Sequence, residues 1–276
     1  MGLPGEEAVG IRAIERAMNV LQELNLQPIN TIAQLHARTR LPKPTLVRIL
    51  KTLEDAGYVE NDAREGGYRV SALVTSLSSG FHKGPLVVEA GRAWAVAITR
   101  KHKWPTAIAL PDYDGVIIRF STVPDSPVSP FHSTVNRRLN LLTRGMGLAY
   151  FAFLEGEDAE LITDVLRRSD DPENALSHHP AELARLVRKV RANGYATRSS
   201  LVEPRNSNTI AVPIISKSGK VLASLGLTYF TSAFSSEQEA CVRYAPVLKS
   251  AASAIADDLE RLSSSISIEA DNSTMV

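Results

Sequence analysis

Several features are missing from this sequence, and each absence narrows the class of protein. A single cysteine, Cys241, rules out a disulfide within the chain and favours a reducing compartment. The first ten residues contain neither the basic nor the apolar segment of a secretory signal, and no uncharged run approaches the length of a membrane span. We therefore expect a soluble protein of the cytoplasm that has no membrane partner.

Sequence motifs of common enzyme classes are missing too. The chain has no Gly-x-Ser-x-Gly nucleophile motif, no phosphate-binding loop and no dinucleotide fingerprint. His178 and His179 lie in a polar stretch without further ligands at metal-binding spacing, and Cys241 has the apolar neighbours of a buried residue. The sequence therefore predicts no catalytic site, no cofactor and no metal centre.

Charge of one sign is not in excess, since 31 basic and 30 acidic residues give a formal net charge of +1. Residues 1–80 contain nine Lys or Arg and nine Asp or Glu. Binding to nucleic acid would therefore depend on a local cluster of basic side chains. Such a cluster occupies residues 38–51, which contain no acid and five bases: Arg38, Arg40, Lys43, Arg48 and Lys51.

This cluster lies within a pattern typical of a helix-turn-helix. Thr31 is suited to cap a first helix, and the prolines at 42 and 44 mark the start of a second. Gly57 ends the second helix, because glycine readily takes the left-handed conformation found there. The second helix carries a single apolar stripe, formed by Leu46, Ile49, Leu50 and Leu53.

Residues 58–60 and 68–70 have strand character and flank a turn-rich loop, which predicts a β-hairpin wing. Arg64 lies at the tip of this wing, where it could reach a groove or a phosphate. We predict that six residues contact DNA: Arg40, Lys43, Thr45, Arg48, Lys51 and Arg64. The alternative is a small helical module for protein contacts, with its basic residues on an ordinary solvated face.

The chain of 276 residues is long for one domain and favours two. We predict a winged helix-turn-helix at 9–72, a linker helix at 73–84, a second domain at 85–262 and a disordered tail at 263–276. Leu73, Leu77 and Phe81 recur every four residues in the linker, which predicts an amphipathic helix that could pair two copies. In the second domain, including a strand at 131–142, the order of helical and strand patterns predicts an antiparallel sheet flanked by helices. The fold class is α+β.

The strand at 221–229 points to a small-molecule pocket. One of its faces is apolar and large, whereas the other carries Leu222, Ser224, Gly226 and Thr228. Small and partly polar residues leave space for a ligand and supply hydroxyl groups. Close packing against a helix explains the same face equally well.

The chain resembles the IclR family of bacterial transcription regulators over residues 9–262. The resemblance is carried by LPKPTLVRILKTLEDAGYVE in the helix-turn-helix and by the linker and Ala-Val-Pro-Ile segments that follow. Three further segments look most like MhpR-type members, which regulate the degradation of hydroxyphenylpropionate and related aromatic acids. They are WPTAIALPDYDGVIIRFST, NRRLNLLTRGMGLAYFAFL and IAVPIISKSGKVLASLGLTYF.

The resemblance implies a GAF-like effector domain and a homodimer or homotetramer. It also implies a double-stranded DNA operator near the promoter of a catabolic operon, a small organic-acid effector, aromatic for preference, and RNA polymerase as a further candidate partner. Carried over by position, the effector-binding candidates are Gly145, Met146, Gly147, Glu203, Gly226 and Thr228. The competing hypothesis is a metabolic enzyme or scaffold protein with a helix-turn-helix appendage.

Overall fold

The structure is a computed structural model that describes the backbone of residues 11–78 and 85–273 and the side chains of residues 11–77 and 85–264. The chain divides into two compact units, residues 1–83 and residues 84–276. The described part of the first unit contains three α-helices, a two-stranded antiparallel hairpin and a short 3-10 helix. The α-helices and strands are α1 (Arg12–Leu24), α2 (Ile32–Thr39), α3 (Lys43–Asp55), β1 (Val59–Asp62) and β2 (Gly67–Val70).

Local sequence signals explain where the helices of the first unit begin and end. Thr31 and Gln34 form a capping box, in which each side chain accepts a hydrogen bond from the other residue's backbone N–H. Arg40 ends α2 in the left-handed conformation at φ 56°, and Gly57 follows α3 at φ 82°. The apolar stripes of the helices meet in one core, which contains Val20, Leu21, Leu24, Leu35, Leu46, Leu50 and Val59. The predicted winged helix-turn-helix is confirmed.

The linker helix in the structure is of a different type from the amphipathic helix that the sequence predicts. Residues Ala72–Ser78 form a 3-10 helix, in which Leu73 and Leu77 are exposed. Phe81 and the rest of the predicted segment lie outside the described residues.

The second unit is built on a six-stranded sheet in the order β5-β4-β3-β8-β7-β6, with every neighbouring pair antiparallel. The strands are β3 (Thr106–Asp112), β4 (Gly115–Ser121), β5 (Arg138–Asn140), β6 (Ala196–Thr197), β7 (Ser207–Ile215) and β8 (Val221–Phe230). The helices are α4 (Leu86–His102), α5 (Gly145–Phe151), α6 (Gly156–Arg167), α7 (Pro180–Asn193) and α8 (Glu237–Ser273).

Both faces of this sheet are covered by helices. Helices α4 and α8 pack on one face, where Leu225, Leu227 and Tyr229 of β8 are almost fully buried. Helix α5 lies on the other face. The apolar core between α5 and the sheet also includes residues of α6 and α7. The α+β class with an antiparallel sheet flanked by helices is confirmed.

Two predicted boundaries differ from the structure. The strand predicted over residues 131–142 is limited to Arg138–Asn140, because Asn136 takes a positive φ of 64° that interrupts the extended chain. The final helix continues to Ser273, past its predicted end at Leu262 and into the segment predicted to be disordered. The short strand β6 and a 3-10 helix at Pro172–His178 have no counterpart among the predicted elements.

Candidate functional site

Helix α3 presents a polar face to solvent in the first unit. Leu46 and Leu50 are fully buried on its inner side, which leaves Lys43 and Arg48 exposed and Thr45 half-buried on the outer side. Arg40 is also exposed, in the turn between α2 and α3. The packing of the apolar stripe therefore positions this basic face, as the helical period predicts.

Ion pairing separates the basic residues of this segment into two groups. Arg38 is committed to structure, since its Nε lies 2.8 Å from Oε2 of Glu23 and its Nη2 donates to Asn30. Lys51 lies 2.7 Å from Asp55, whose hydrogen bond and charge raise the pKa of the lysine. Within the described residues, no carboxylate comes within ion-pairing distance of the other bases: Arg40, Lys43, Arg48 and Arg64.

The wing holds Arg64 at an ordered turn. Asp62 accepts hydrogen bonds from the backbone N–H groups of Arg64, at 3.0 Å, and Glu65, at 3.1 Å. These bonds to Glu65 and Arg64 lower the pKa of Asp62, so the carboxylate that shapes the turn stays ionised. Arg69 pairs with Glu60 and Asp62 along the strands. Arg64 forms no ion pair with either carboxylate and is exposed at the tip.

A cavity lies in the second unit between the sheet and the start of α5. Its wall combines apolar side chains with threonines, one serine and three arginines. The lining residues are Pro105, Thr106, Ala107, Ile118, Ser121, Val123, Phe131, Thr134, Arg137, Leu139, Arg144, Gly145, Met146, Arg198, Thr209 and Thr228.

The three arginines have different partners. Arg144 lies 2.6 Å from Glu173, and it also donates to the carbonyl of Glu203 at 2.8 Å. Arg198 is only 7% exposed and donates to the Pro204 carbonyl and, at 3.4 Å, to Ser207 Oγ. These contacts fix two of the guanidinium groups beside the cavity.

The guanidinium of Arg137 makes no hydrogen bond to a residue that the structure describes, but Glu173 attracts it, and it lies over the ring of Phe131, 5.1 Å from the centroid. Burial, followed by repulsion from Arg144, lowers the pKa of Arg137. Burial, followed by repulsion from Arg144 and Arg137, likewise lowers the pKa of Arg198. The cavity is therefore a partly desolvated site with an excess of positive charge, which suits an anion.

Three of the predicted effector-binding residues line this cavity, namely Gly145, Met146 and Thr228. Two of the others are glycines that permit close packing. A Cβ at Gly147 would overlap the Asn140 carbonyl oxygen, and a Cβ at Gly226 would lie 2.7 Å from Met146 Cγ. These two glycines let α5 rest on the sheet and so position the cavity wall.

Glu203, the remaining predicted residue, is 73% exposed and pairs with Arg205 at 3.0 Å. Its carbonyl oxygen accepts a hydrogen bond from Arg144, and its carboxylate charge acts on Arg198, and both arginines line the cavity. The sequence shows Arg137 within a basic pair but indicates no ligand role for it, and no motif singles out Arg144 or Arg198. The positions of these three arginines along the chain do not indicate that they line one cavity.

The described residues contain no group of three His, Cys, Asp or Glu side chains placed to hold a metal ion. None of the described helices combines the length and apolarity that crossing a membrane requires.

A winged helix-turn-helix in one chain with a separate domain that encloses a cavity is typical of one class, the ligand-responsive transcription regulators. Residues 13–63 match the IclR helix-turn-helix domain, and residues 107–257 match the bacterial transcriptional regulator IclR C-terminal domain. The second match alone covers more than half of the chain. This chain belongs to the IclR family of DNA-binding transcription regulators and is not an enzyme.

Characterised regulators are similar along most of their length. The chain is 28% identical over 225 residues to the Pca regulon regulatory protein of Pseudomonas putida, covering 80% of this chain and 74% of that protein. It is 24% identical over 225 residues to the HTH-type transcriptional regulator XynR of Escherichia coli (strain K12), covering 80% and 87%.

Solved structures share the fold. The Thermotoga maritima IclR matches with a TM-score of 0.62 at 17% identity, covering 91% of this chain and 99% of that chain. An IclR homologue from Microbacterium hydrocarbonoxydans, complexed with 4-hydroxybenzoate, matches with a TM-score of 0.58 at 21% identity, covering 90% and 99%.

Proposed function

We propose that this protein is a cytoplasmic regulator that binds an operator near a catabolic promoter and responds to a small organic acid, most suitably an aromatic one. The observation that carries the proposal is the arginine-lined cavity, where Arg137 and Arg198 stand beside Phe131, Met146 and other apolar side chains. Guanidinium groups suit a carboxylate, and an apolar wall suits a ring. This arrangement gives an aromatic acid both of the contacts it needs.

Two relatives support the choice of ligand class. One is named for the Pca regulon, and the Microbacterium hydrocarbonoxydans homologue was solved with 4-hydroxybenzoate, an aromatic acid. The similarity of three segments to MhpR-type regulators points in the same direction. We therefore include the control of an aromatic-acid operon in the proposal.

For the DNA-binding unit, we propose that Arg40, Lys43, Thr45 and Arg48 face the duplex and that Arg64 of the wing reaches an adjacent groove or phosphate. Their exposure, and the lack of carboxylate partners for the bases within the described residues, support this role. Lys51 belongs to the same proposed face, although Asp55 at 2.7 Å competes with phosphate for its charge. We expect its contribution to be the smaller one.

We further propose that the functional unit is a homodimer or homotetramer, with RNA polymerase as a candidate partner at the promoter. One helix-turn-helix buries too little surface for specific affinity, so paired units are expected on an operator. Helix α1 offers an exposed apolar surface for such pairing, and the 3-10 helix offers Leu73 and Leu77. The α1 surface, including the residue before the helix, consists of Ile11, Ile14 and Met18, which are 66%, 58% and 48% exposed.

The test combines DNA binding with ligand binding. Electrophoretic mobility shifts would use the promoter region beside the gene, with 4-hydroxybenzoate and benzoate as the first probes. We expect retention of this DNA in preference to unrelated duplex, a change in its affinity on adding acid, and a rise in Tm with the same acid. The proposal would be contradicted if the protein bound neither duplex in a salt-dependent way. It would also be contradicted if no acid changed the Tm of the protein or its affinity for DNA.

A further inference from the structure

The outer face of α3 carries an exposed apolar side chain, that of Val47. The opposite side of the helix packs into the core of the first unit, whereas Val47 is 46% exposed. Lys43 and Lys51 lie four residues before and after it, which places all three side chains on one face of the helix. Arg48, its neighbour in the sequence, is exposed as well. Val47 therefore lies in the middle of the basic face of α3.

A single exposed valine is ordinary, so the argument for a role depends on its surroundings. Within the described residues, no carboxylate lies within ion-pairing distance of Lys43 or Arg48, and their charges are available to an anionic partner. Contact between water and the two γ-methyl groups of Val47 is unfavourable, and another apolar group that covers them removes this cost. The face suits a partner that has anionic edges and an apolar group between them.

The major groove of double-stranded DNA offers this combination. Phosphate groups border the groove, and thymine displays an apolar group within it, its C5 methyl group. Guanine, adenine and cytosine display hydrogen-bonding groups there instead. A valine placed against those groups would displace water without replacing the hydrogen bonds that the water made. Val47 therefore favours thymine over the other three bases.

We propose that Val47 is a specificity-determining residue, whose γ-methyl groups pack against the C5 methyl group of a thymine in each half-site of the operator. Lys43 and Arg48 hold the helix in the groove through phosphate groups or adjacent base edges, and Val47 selects the base between them. The inference rests on the proposed function, because it takes the exposed face of α3 as the surface that meets the duplex.

Replacement of thymine by uracil isolates this contact, because it removes the methyl group and leaves base pairing unchanged. Footprinting on the promoter region beside the gene would define the protected duplex, in which each thymine would then be replaced by uracil in turn. Fluorescence anisotropy at one salt concentration would measure the affinity of the full chain for each duplex. We expect replacement of at least one thymine to weaken binding about fourfold, the effect of one methyl group that loses its apolar contact.

A pair of matched variants connects the sensitive thymine to Val47. Val47→Ala removes the γ-methyl groups and should fold, since alanine favours a helix at an exposed position. It should reduce the ratio of thymine to uracil affinity at the sensitive position to about twofold or less. Its salt slope should equal that of the parent protein, because no charge is lost. Val242→Ala is the control: Val242 is an exposed valine of α8 in the other unit, and its variant should retain the fourfold ratio.

The outcomes separate this inference from the function on which it depends. If the duplex is bound and no uracil replacement weakens binding, Val47 does not read a methyl group, and the regulator is left intact. A thymine that stays equally sensitive in Val47→Ala is read by another side chain, which would also overturn the inference. Absence of salt-dependent binding to any duplex would overturn the inference together with the proposed role of α3.

Discussion

At the scale of single residues, Gly147 in α5 and Gly226 in β8, the strand that α5 packs against, show how differently a missing methyl group can matter. At Gly147 the space for a Cβ is occupied by the backbone carbonyl of Asn140, which belongs to β5 and cannot rotate away. At Gly226 the nearest atoms are Cγ and Sδ of Met146, the adaptable end of a flexible side chain. The same substitution should therefore have unequal effects.

We predict that Gly147→Ala destabilises the second unit by about 1–3 kcal/mol, because the added methyl group must displace backbone. Gly226→Ala should cost clearly less, since Met146 can change rotamer. Urea denaturation followed by tryptophan fluorescence would measure both, because Trp94 and Trp104 belong to this unit. Equal losses for the two variants would show that the rigidity of the neighbour is not the deciding factor.

The basic residues of α3 provide a second comparison at this scale. Arg48 is exposed with no carboxylate within ion-pairing distance in the described structure, whereas Lys51 is held by Asp55. We predict that Arg48→Ala weakens operator binding by about 1–3 kcal/mol if the side chain reads a base edge, and by less, with a shallower salt slope, if it contacts phosphate.

Lys51→Ala should have the smaller effect of the two, because Asp55 already offsets part of the positive charge that Lys51 offers to phosphate. Fluorescence anisotropy with labelled operator at several salt concentrations would measure both affinities and both salt slopes. A loss on Lys51→Ala that exceeds the loss on Arg48→Ala would reverse our ranking of the two side chains.

At the scale of elements, the sequence predicted those whose signals are local and strong. The prolines at the start of α3, Gly57 after it and the Asp-Gly pair at residues 114–115 each mark a boundary that the structure confirms. Short elements carry too little periodicity to be read, so β6 and the 3-10 helix at Pro172–His178 were not predicted. The serine-rich stretch after Leu262 predicts disorder, whereas in the structure the backbone continues α8 to Ser273.

The capping box of α2 gives a prediction for one element. The side chain of Thr31 accepts from the N–H of Gln34, and the Gln34 side chain accepts from the N–H of Thr31 at 2.7 Å. Thr31→Ala should weaken α2 by about 1 kcal/mol through loss of the cap, whereas Thr31→Ser retains the hydroxyl. Hydrogen exchange in residues 32–36 would report the opening of this helix. Identical exchange in the alanine and serine variants would mean that packing alone holds the first turn.

At the scale of the whole molecule, the sequence predicts two units and the class of each unit, but it does not predict which residues line the cavity. The sequence shows a basic pair at Arg137 and Arg138, but Arg198 lies about sixty residues further along the chain. Only the strand order, which places β5 and β6 at opposite edges, shows that both can border one cavity. Sheet order depends on tertiary packing, and a single sequence does not reveal it.

The assembly of two copies is the last property of the whole molecule that the structure lets us test. Ile14 and Met18 lie one turn apart on α1 and are 58% and 48% exposed, so a charged pair there would disfavour association through this surface. We predict that Ile14→Glu with Met18→Glu lowers the sedimentation coefficient at micromolar concentration and abolishes tight operator binding, because paired units are required.

Leu161→Glu is the matched control, since Leu161 is 64% exposed on α6 in the other unit and should leave both properties unchanged. Effector binding, measured by calorimetry, should persist in both variants because the cavity lies in the second unit. If the α1 variant sediments like the parent and still binds its operator, pairing must use another surface, and the exposed Leu73 and Leu77 become the next residues to change.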